Sequence, residues 1–461
     1  MSAFTKGMEE GATEAKGVME QVNKVGDNLT GVMNEMGADA AVQGEKAKAR
    51  WGAATGKIMA LQAAAKGKNA EIWDKNNKRY LDFVGGYAVL NTGHLNPRVV
   101  QRVKKQLNDY SHSCFAFAPH ENAVQLCEEI NKRYPIKEKT KTFLVNSGAE
   151  AVENAIKIAR YATGKEKIIA FKGGFHGRTY LAMGLTGKEM PYKEGFGPFP
   201  KFISHVDYPY HYRNISDEQV IKQVENTLSK KLNPKDVAAI VIEIQLGEGG
   251  YIPATEKFLK ELRKITKKHN ILLIFDEVQT GFGRTGEMFG ANKINVEPDM
   301  VTLAKGIGGG FPLAAVVGRA EIMDSVHDAG IGSTFGASPI SCAAALGVID
   351  VFDKDNLLEK VNKQKVIMEK SLENMKENFE FIGDVRGYGI MKGVEIVDNK
   401  NNKKPSKELA TKIINNSKKN GLLLVSCGKE GNVIRFMGPL TTPLKQIKEA
   451  MEMFNQALEK I

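Results

Sequence analysis

Between residues 140 and 350 the chain is punctuated by apolar runs of four or five residues, at 142–145, 167–171, 239–243, 271–275, 300–304 and 314–317. Most of the sequence between them carries apolar positions three and four residues apart. Short β-branched runs of this kind are expected as buried strands, and the intervening stretches as amphipathic helices. Their alternation predicts a largely parallel sheet with helices on both faces. Before this region, residues 71–74 and 80–83 predict short strands. After it, 356–379 predicts a long helix and 383–461 a smaller α+β lobe. Residues 1–70 follow a different rule. Val18, Val22, Val25, Leu29, Val32 and Met36 recur at alternating four- and three-residue steps, a narrow apolar stripe on a helix. Gly26, Gly31 and Gly37 each weaken that helix by about 1 kcal/mol. The expected division is a helical extension over 1–70, the first part of a small lobe over 71–125, a large α/β domain over 126–365, and the rest of the small lobe over 366–461.

Composition changes this picture little. With 461 residues, 42% hydrophobic and 26% charged, the chain describes a soluble protein of more than one domain. No apolar run approaches the roughly 18–20 residues needed to span a bilayer. The N-terminus lacks the basic-then-apolar layout of a secretory signal, so a cytoplasmic protein is expected. Cys114, Cys127, Cys342 and Cys427 are scattered, which fits a reducing compartment and argues against zinc. The net charge of +11 comes from lysines interspersed with acids along predicted helices, a solvated surface rather than a nucleic-acid interface. A positive field of that size would also attract a polyanionic substrate such as a CoA thioester.

The candidate chemistry sits where the apolar runs stop. Asp276 ends one run, and Lys305, 29 residues later, ends another and precedes a Gly-rich turn. A buried acid that keeps a heteroaromatic nitrogen protonated, with an amine able to form a Schiff base, is what pyridoxal phosphate chemistry requires. The same two residues taken alone are equally compatible with a structural ion pair. Ser147-Gly148-Ala149 follows a strand and opens a helix over 152–162. Unpaired N–H groups there would receive a phosphate, or Ser147 is simply an N-cap. Phe175, His176 and Arg178 share a Gly-rich loop. Phe175 could stack on a flat ring and Arg178 could clamp a carboxylate, although a Phe–His pair is also common core packing. Glu243 and Glu248 follow a strand among glycines, at the sheet edge where open α/β sheets bind ligands. Glu248 reads as a salt-bridge gate for a mobile arginine or as a turn carboxylate. Thr334 could offer a hydroxyl to a phosphate across a subunit boundary. Arg435 ends a strand and could face the site or solvent.

In this order, with Asn91-Thr92-Gly93-His94, 146–154, 175–179, 185–188, 276–286, 304–312 and 432–435 as the most telling stretches, the chain resembles the class III (subgroup II) aminotransferases of fold type I. Within them it is most similar to the 4-aminobutyrate type. The resemblance runs over 72–461, about 85% of the chain. It implies a mostly parallel seven-stranded sheet sandwiched by helices, a smaller α+β lobe, and pyridoxal 5′-phosphate held by 126–365. It implies Lys305 as the Schiff-base lysine, Asp276 against the pyridinium nitrogen, Gln279 at the ring hydroxyl and Phe175 stacked on the ring. Ser147, Gly148 and Ala149 would hold the phosphate, with Thr334 of a neighbouring subunit in a homodimer or dimer of dimers. His176 and Glu243 complete the implied cofactor set. Arg178 corresponds to the arginine that grips the distal carboxylate. Glu248 corresponds to the acid whose release frees Arg435 for the α-carboxylate of 2-oxoglutarate or glutamate. The implied reaction takes an amino group from an ω- or β-amino donor to 2-oxoglutarate, giving an aldehyde or oxo product and glutamate, with no nucleic-acid or membrane partner. Two departures bear on the donor. The run Glu243-Ile244-Gln245-Leu246-Gly247-Glu248 lacks the family's usual proline and displaces a glutamine, and Tyr87 stands at the substrate entrance where a small aliphatic is common. β-Aminoacyl-CoA, 5-aminovalerate and terminal diamines therefore stay open as donors. Racemases and mutases of the same fold are a further alternative, against which the pairing of Glu248 with Arg435 argues.

Overall fold

The computed structural model describes residues 64–461. The apolar stripe expected at 18–36 lies outside the described residues. The end of the expected helical extension is sheet instead: β1 (Ala64–Lys68) pairs antiparallel with β2 (Glu71–Asp74), which pairs with β3 (Arg79–Asp82). Asn69 and Asn77, both at positive φ, form the two turns, a conformation asparagine tolerates well. A turn residue so soon after 64–68 leaves no length for a helix there.

The central sheet has seven strands: β4 (Thr140–Val145), β5 (Lys167–Phe171), β6 (Ile203–Val206), β7 (Val237–Ile242), β8 (Leu272–Asp276), β9 (Met300–Leu303) and β10 (Ala314–Arg319). Their order is β4-β10-β9-β8-β7-β5-β6, parallel from β9 to β6, with β10 antiparallel to both β4 and β9. Every residue of β7, β8 and β9 is buried, which explains why these strands read as unbroken apolar runs. Strand β6 had no such signature. It is an edge strand, only partly covered, and Ser204-His205 interrupts its apolar residues. The helix Gly148–Thr163 packs Ala151, Val152, Ala155, Ile158 and Ala159 into one core with Val145, Ala170, Val241, Ile274 and Val316. Burying a side chain such as Ile158 contributes about 2–3 kcal/mol.

This topology gathers the chemistry on one edge. The parallel strands all finish there, delivering the residues after Val145, Phe171, Ile242, Asp276 and Leu303. Because β10 runs the other way, its leading residues reach the same edge, with Ala314 beside Val145.

Beyond the helices Pro339–Lys354 and Leu357–Asn378, the chain forms β11 (Ile382–Arg386), β12 (Lys392–Ile396), β13 (Leu422–Leu423), β14 (Val425–Cys427) and β15 (Val433–Phe436). Strand β13 joins β3 in parallel, completing a four-stranded sheet with β1 to β3. The others form an antiparallel sheet ordered β11-β12-β15-β14. Arg435 lies on β15 between Gly393 and Val425, an interior strand, so the exposed alternative for this arginine is excluded.

Candidate active site

A cavity of about 370 Å³ opens at the sheet edge where the strands finish, lined by Ser147, Gly148, Ala149, Phe175, His176, Glu243, Glu248, Asp276, Gln279 and Lys305. Ten of the residues expected from sequence therefore converge from five different segments.

Asp276 closes β8 and is buried. Its Oδ2 lies 2.6 Å from His176 Nδ1, while Oδ1 accepts from the Val278 N–H at 3.1 Å and the Thr302 hydroxyl at 3.2 Å. Thr302 is the direct neighbour of Asp276 across β8 and β9. Burial works against a charge on His176, but the bond to Asp276 and the charges of Asp276 and Glu243 prevail, so its pKa is raised. His176 thus supports the carboxylate from behind, with Nε2 buried and unpartnered in the described structure.

Glu243, just past β7, accepts the Phe175 N–H at 2.8 Å on one oxygen and the Gly247 N–H at 2.9 Å on the other. Burial, reinforced by the Asp276 charge, pushes its pKa up to about 7. It fastens the Phe175 loop to the turn that bears Glu248.

Lys305 follows β9 at φ +46, a left-handed conformation that costs a side-chain-bearing residue about 1–3 kcal/mol and recurs at functional sites. Burial lowers the pKa of its amine, against the pull of Glu248, Glu243 and Asp276. Opposite, the helix begins at Gly148, four residues before the apolar periodicity at Val152 announced it. Ser147 is its N-cap, accepting the Glu150 N–H at 3.2 Å, and Glu150 accepts the Asn146 N–H at 2.8 Å. A Cβ on Gly148 would meet both Val278 methyl groups at 3.0–3.1 Å, so glycine keeps this start close to Val278. Phe175 and Val278 both line the cavity. Gln279 reaches Met437 Sδ at 3.9 Å.

The remaining residues form a second group. Arg435, buried, donates Nη1 to Glu248 Oε1 at 2.5 Å, and its guanidinium lies 5.3 Å from the Tyr87 ring. Glu248 has its pKa lowered, because the Arg435 charge and bond outweigh the opposing effect of burial. Tyr87 is 44% exposed at φ +62. Arg178 is exposed and lies 5.0 Å over the Tyr192 ring. Thr334 is exposed and is not among the residues lining the cavity. Sequence reasoning missed Tyr192, Val278 and Thr302. Only Thr302 carried a signal, a lone hydroxyl inside an apolar run.

An acid fixed by three donors, an amine of lowered pKa, apolar side chains and a helix N-terminus thus surround one cavity. The family model for class-III aminotransferases matches residues 53–458. The chain belongs to the class-III aminotransferases. It is 43% identical over 398 residues to the 5-aminovalerate aminotransferase of Pseudomonas aeruginosa, covering 86% of this chain and 93% of the relative. It is 43% identical over 397 residues to the 4-aminobutyrate aminotransferase of Escherichia coli, with the same coverages. Among solved structures, an (S)-enantioselective omega-transaminase from Thermomicrobium roseum superposes with a TM-score of 0.82 at 29% identity, over 88% of this chain and 94% of that one.

Class-III aminotransferases depend on pyridoxal 5′-phosphate, and the cavity of this aminotransferase suits it. The fixed acid would suit a basic ring nitrogen, the helix start at Ser147 to Ala149 a phosphate, and the amine of Lys305 an aldehyde.

Proposed function

We propose that this aminotransferase transfers the amino group of an ω-amino carboxylate, of the length of 4-aminobutyrate or 5-aminovalerate, to 2-oxoglutarate. The products are a semialdehyde and glutamate. The observation that carries the reading is the Glu248–Arg435 pair, closed at 2.5 Å beside the cavity that holds Lys305. Closed, it offers no free cation to a donor whose reacting carbon bears no carboxylate. Opened, Arg435 presents a planar fork to the α-carboxylate of an oxo acid. Arg178 is our candidate for the distal carboxylate common to both substrates. The names of the two relatives agree in kind with such a donor.

Bound in the cavity, pyridoxal phosphate supplies an aldehyde that takes up an amine and a cationic ring that accepts the electron pair released from carbon. Asp276, held in place by His176, Thr302 and the Val278 N–H, would pair with the protonated ring nitrogen. Lys305, with its lowered pKa, is the base that removes the proton from the donor's amine-bearing carbon. Phe175 and Val278, which line the cavity, would confine the ring, and the helix start at Ser147 to Ala149 would anchor the phosphate. We assign the exposed Thr334 to the phosphate of a neighbouring subunit in a homodimer. The four free cysteines fit a cytoplasmic enzyme.

The test is a panel of donors with 2-oxoglutarate: 4-aminobutyrate, 5-aminovalerate, β-alanine, lysine, putrescine and 3-aminobutyryl-CoA. The expected outcome is a kcat/KM at least about tenfold higher for the two longer ω-amino acids than for putrescine, which lacks the carboxylate for Arg178. A preference for the CoA thioester or for putrescine overturns the reading.

A further inference from the structure

Tyr192 touches both groups of the site. Its hydroxyl donates to Glu248 Oε2 at 3.0 Å, its ring packs 4.8 Å from the Phe175 ring, and the Arg178 guanidinium lies 5.0 Å above it. Glu248 therefore has one partner on each oxygen, Arg435 on Oε1 and Tyr192 on Oε2.

Resting on the two-carboxylate reading above, we infer that Tyr192 is the positioning residue that holds Glu248 when Arg435 leaves it for the carboxylate of an oxo acid. The asymmetry follows from charge. While the pair is closed, Arg435 neutralises Glu248 and the tyrosine bond adds little. Once Arg435 turns to substrate, Glu248 is a half-buried carboxylate whose attachment is the Tyr192 hydroxyl. A hydrogen bond to an unneutralised charge is roughly twice as strong as one between neutral groups. Tyr192 thus stabilises the open state more than the closed one, and only such a difference shifts the equilibrium. The hydroxyl remains a donor at any working pH, since burial first, and the Glu248 charge second, push its pKa up. The same ring lies beneath Arg178, so the two arginines proposed to hold the two ends of a dicarboxylate are joined through one side chain.

The experiment compares Tyr192→Phe, Glu248→Gln and the double variant with the wild-type holoenzyme. One readout is the pair of half-reactions in single turnover, the 4-aminobutyrate step and the 2-oxoglutarate step. The other is equilibrium binding of glutarate, with two carboxylates, against pentanoate, with one. For Tyr192→Phe the ratio of second-order rate constants, 2-oxoglutarate over 4-aminobutyrate, is expected to fall about tenfold or more, and glutarate affinity to fall relative to pentanoate by a similar factor. In the Glu248→Gln background the same substitution is expected to leave both ratios unmoved, because no carboxylate remains to be held. If Tyr192→Phe slows both half-reactions equally, the residue only packs the ring and the inference is wrong. If Glu248→Gln shifts the ratios while Tyr192→Phe does not, the gate stands and Tyr192 has no part in it. If neither shifts them, the two-carboxylate reading itself fails.

Discussion

Asp276 is held by three donors before any ligand is considered, and the one from His176 carries a titratable proton. Asp276→Asn isolates the charge. The asparagine Oδ1 can still accept from Val278 and Thr302, while its amide donates to His176 Nδ1 and moves the imidazole proton to Nε2. Geometry survives and the charge is lost. Activity is expected to fall about 10- to 100-fold, the size of one charge-assisted bond, with weaker retention of pyridoxal phosphate on dialysis. The pH dependence has a definite sign. A histidine whose pKa is raised on folding contributes stability that is complete below its unfolded value of about 6.5 and is lost as pH rises through the folded value. The wild-type advantage in thermal melts over Asp276→Asn should therefore be largest in acid and shrink toward alkaline pH. A gap that widens with pH would contradict the pairing. Asp276 was legible in the sequence because a carboxylate ended an apolar run. His176 was also a candidate, but its pairing with Asp276 was not legible, since 100 residues separate them and no local pattern states which loop folds back onto which strand.

At the scale of elements, the loop bearing Phe175 and the helix start at Gly148 touch through Gly177. This residue sits at φ +129, and a Cβ there would lie 2.6 Å from the Ala149 Cβ and 3.0 Å from its Cα. A Cβ fixed directly to the backbone, not the end of a flexible side chain, is in the way. Gly177→Ala must therefore displace the loop from the helix start, at about 2–3 kcal/mol from overpacking and strain together. The expected result is a lower melting temperature and weaker binding of pyridoxal phosphate in a titration of the apoenzyme, because Ala149 belongs to the helix start proposed to cradle the phosphate. An unchanged affinity would show that the cradle does not depend on this contact. The strands of the central sheet were largely readable because double-sided burial leaves continuous apolar runs. Strand β6 was not, because an edge strand can keep Ser204 and His205. The helix start was misplaced because its first turn is specified by the cap at Ser147 and by small residues, which carry no apolar period.

In the whole molecule, the direction of β10 and the interior position of β15 were beyond the sequence, because both depend on which distant strands pair. The same holds for the seat of the Glu248 turn. Gln245, the residue displaced from the family's usual place, accepts from the Tyr388 N–H at 2.7 Å and donates to the Met391 carbonyl at 2.9 Å. Gly428 donates its N–H to the Glu248 carbonyl at 2.9 Å. Arg386, on β11, gives two bonds to the Gly250 carbonyl, at 2.9 and 2.6 Å, and reaches Glu395 at 2.6 Å and Asp384 at 3.0 Å. Glu248 is thereby attached to the sheet that carries Arg435 on β15. Arg386→Gln removes the two bonds to Gly250 and leaves the buried Glu395 with Arg213 and Tyr210 alone. Breaking a buried pair from one side costs about 3–5 kcal/mol, against almost nothing for an exposed pair such as Lys257–Glu218. At about 2.1 cal/mol/K per residue over the described chain, the loss amounts to a melting temperature about 4–6 °C lower. Lys257→Ala should be indistinguishable from wild type. Because Gly250 lies two residues from Glu248, Arg386→Gln should also blunt the preference for 2-oxoglutarate over oxo acids without a second carboxylate. A variant that loses stability but keeps that preference would mean that the turn is held well enough by Gln245 and Gly428, and that Arg386 serves the small lobe alone.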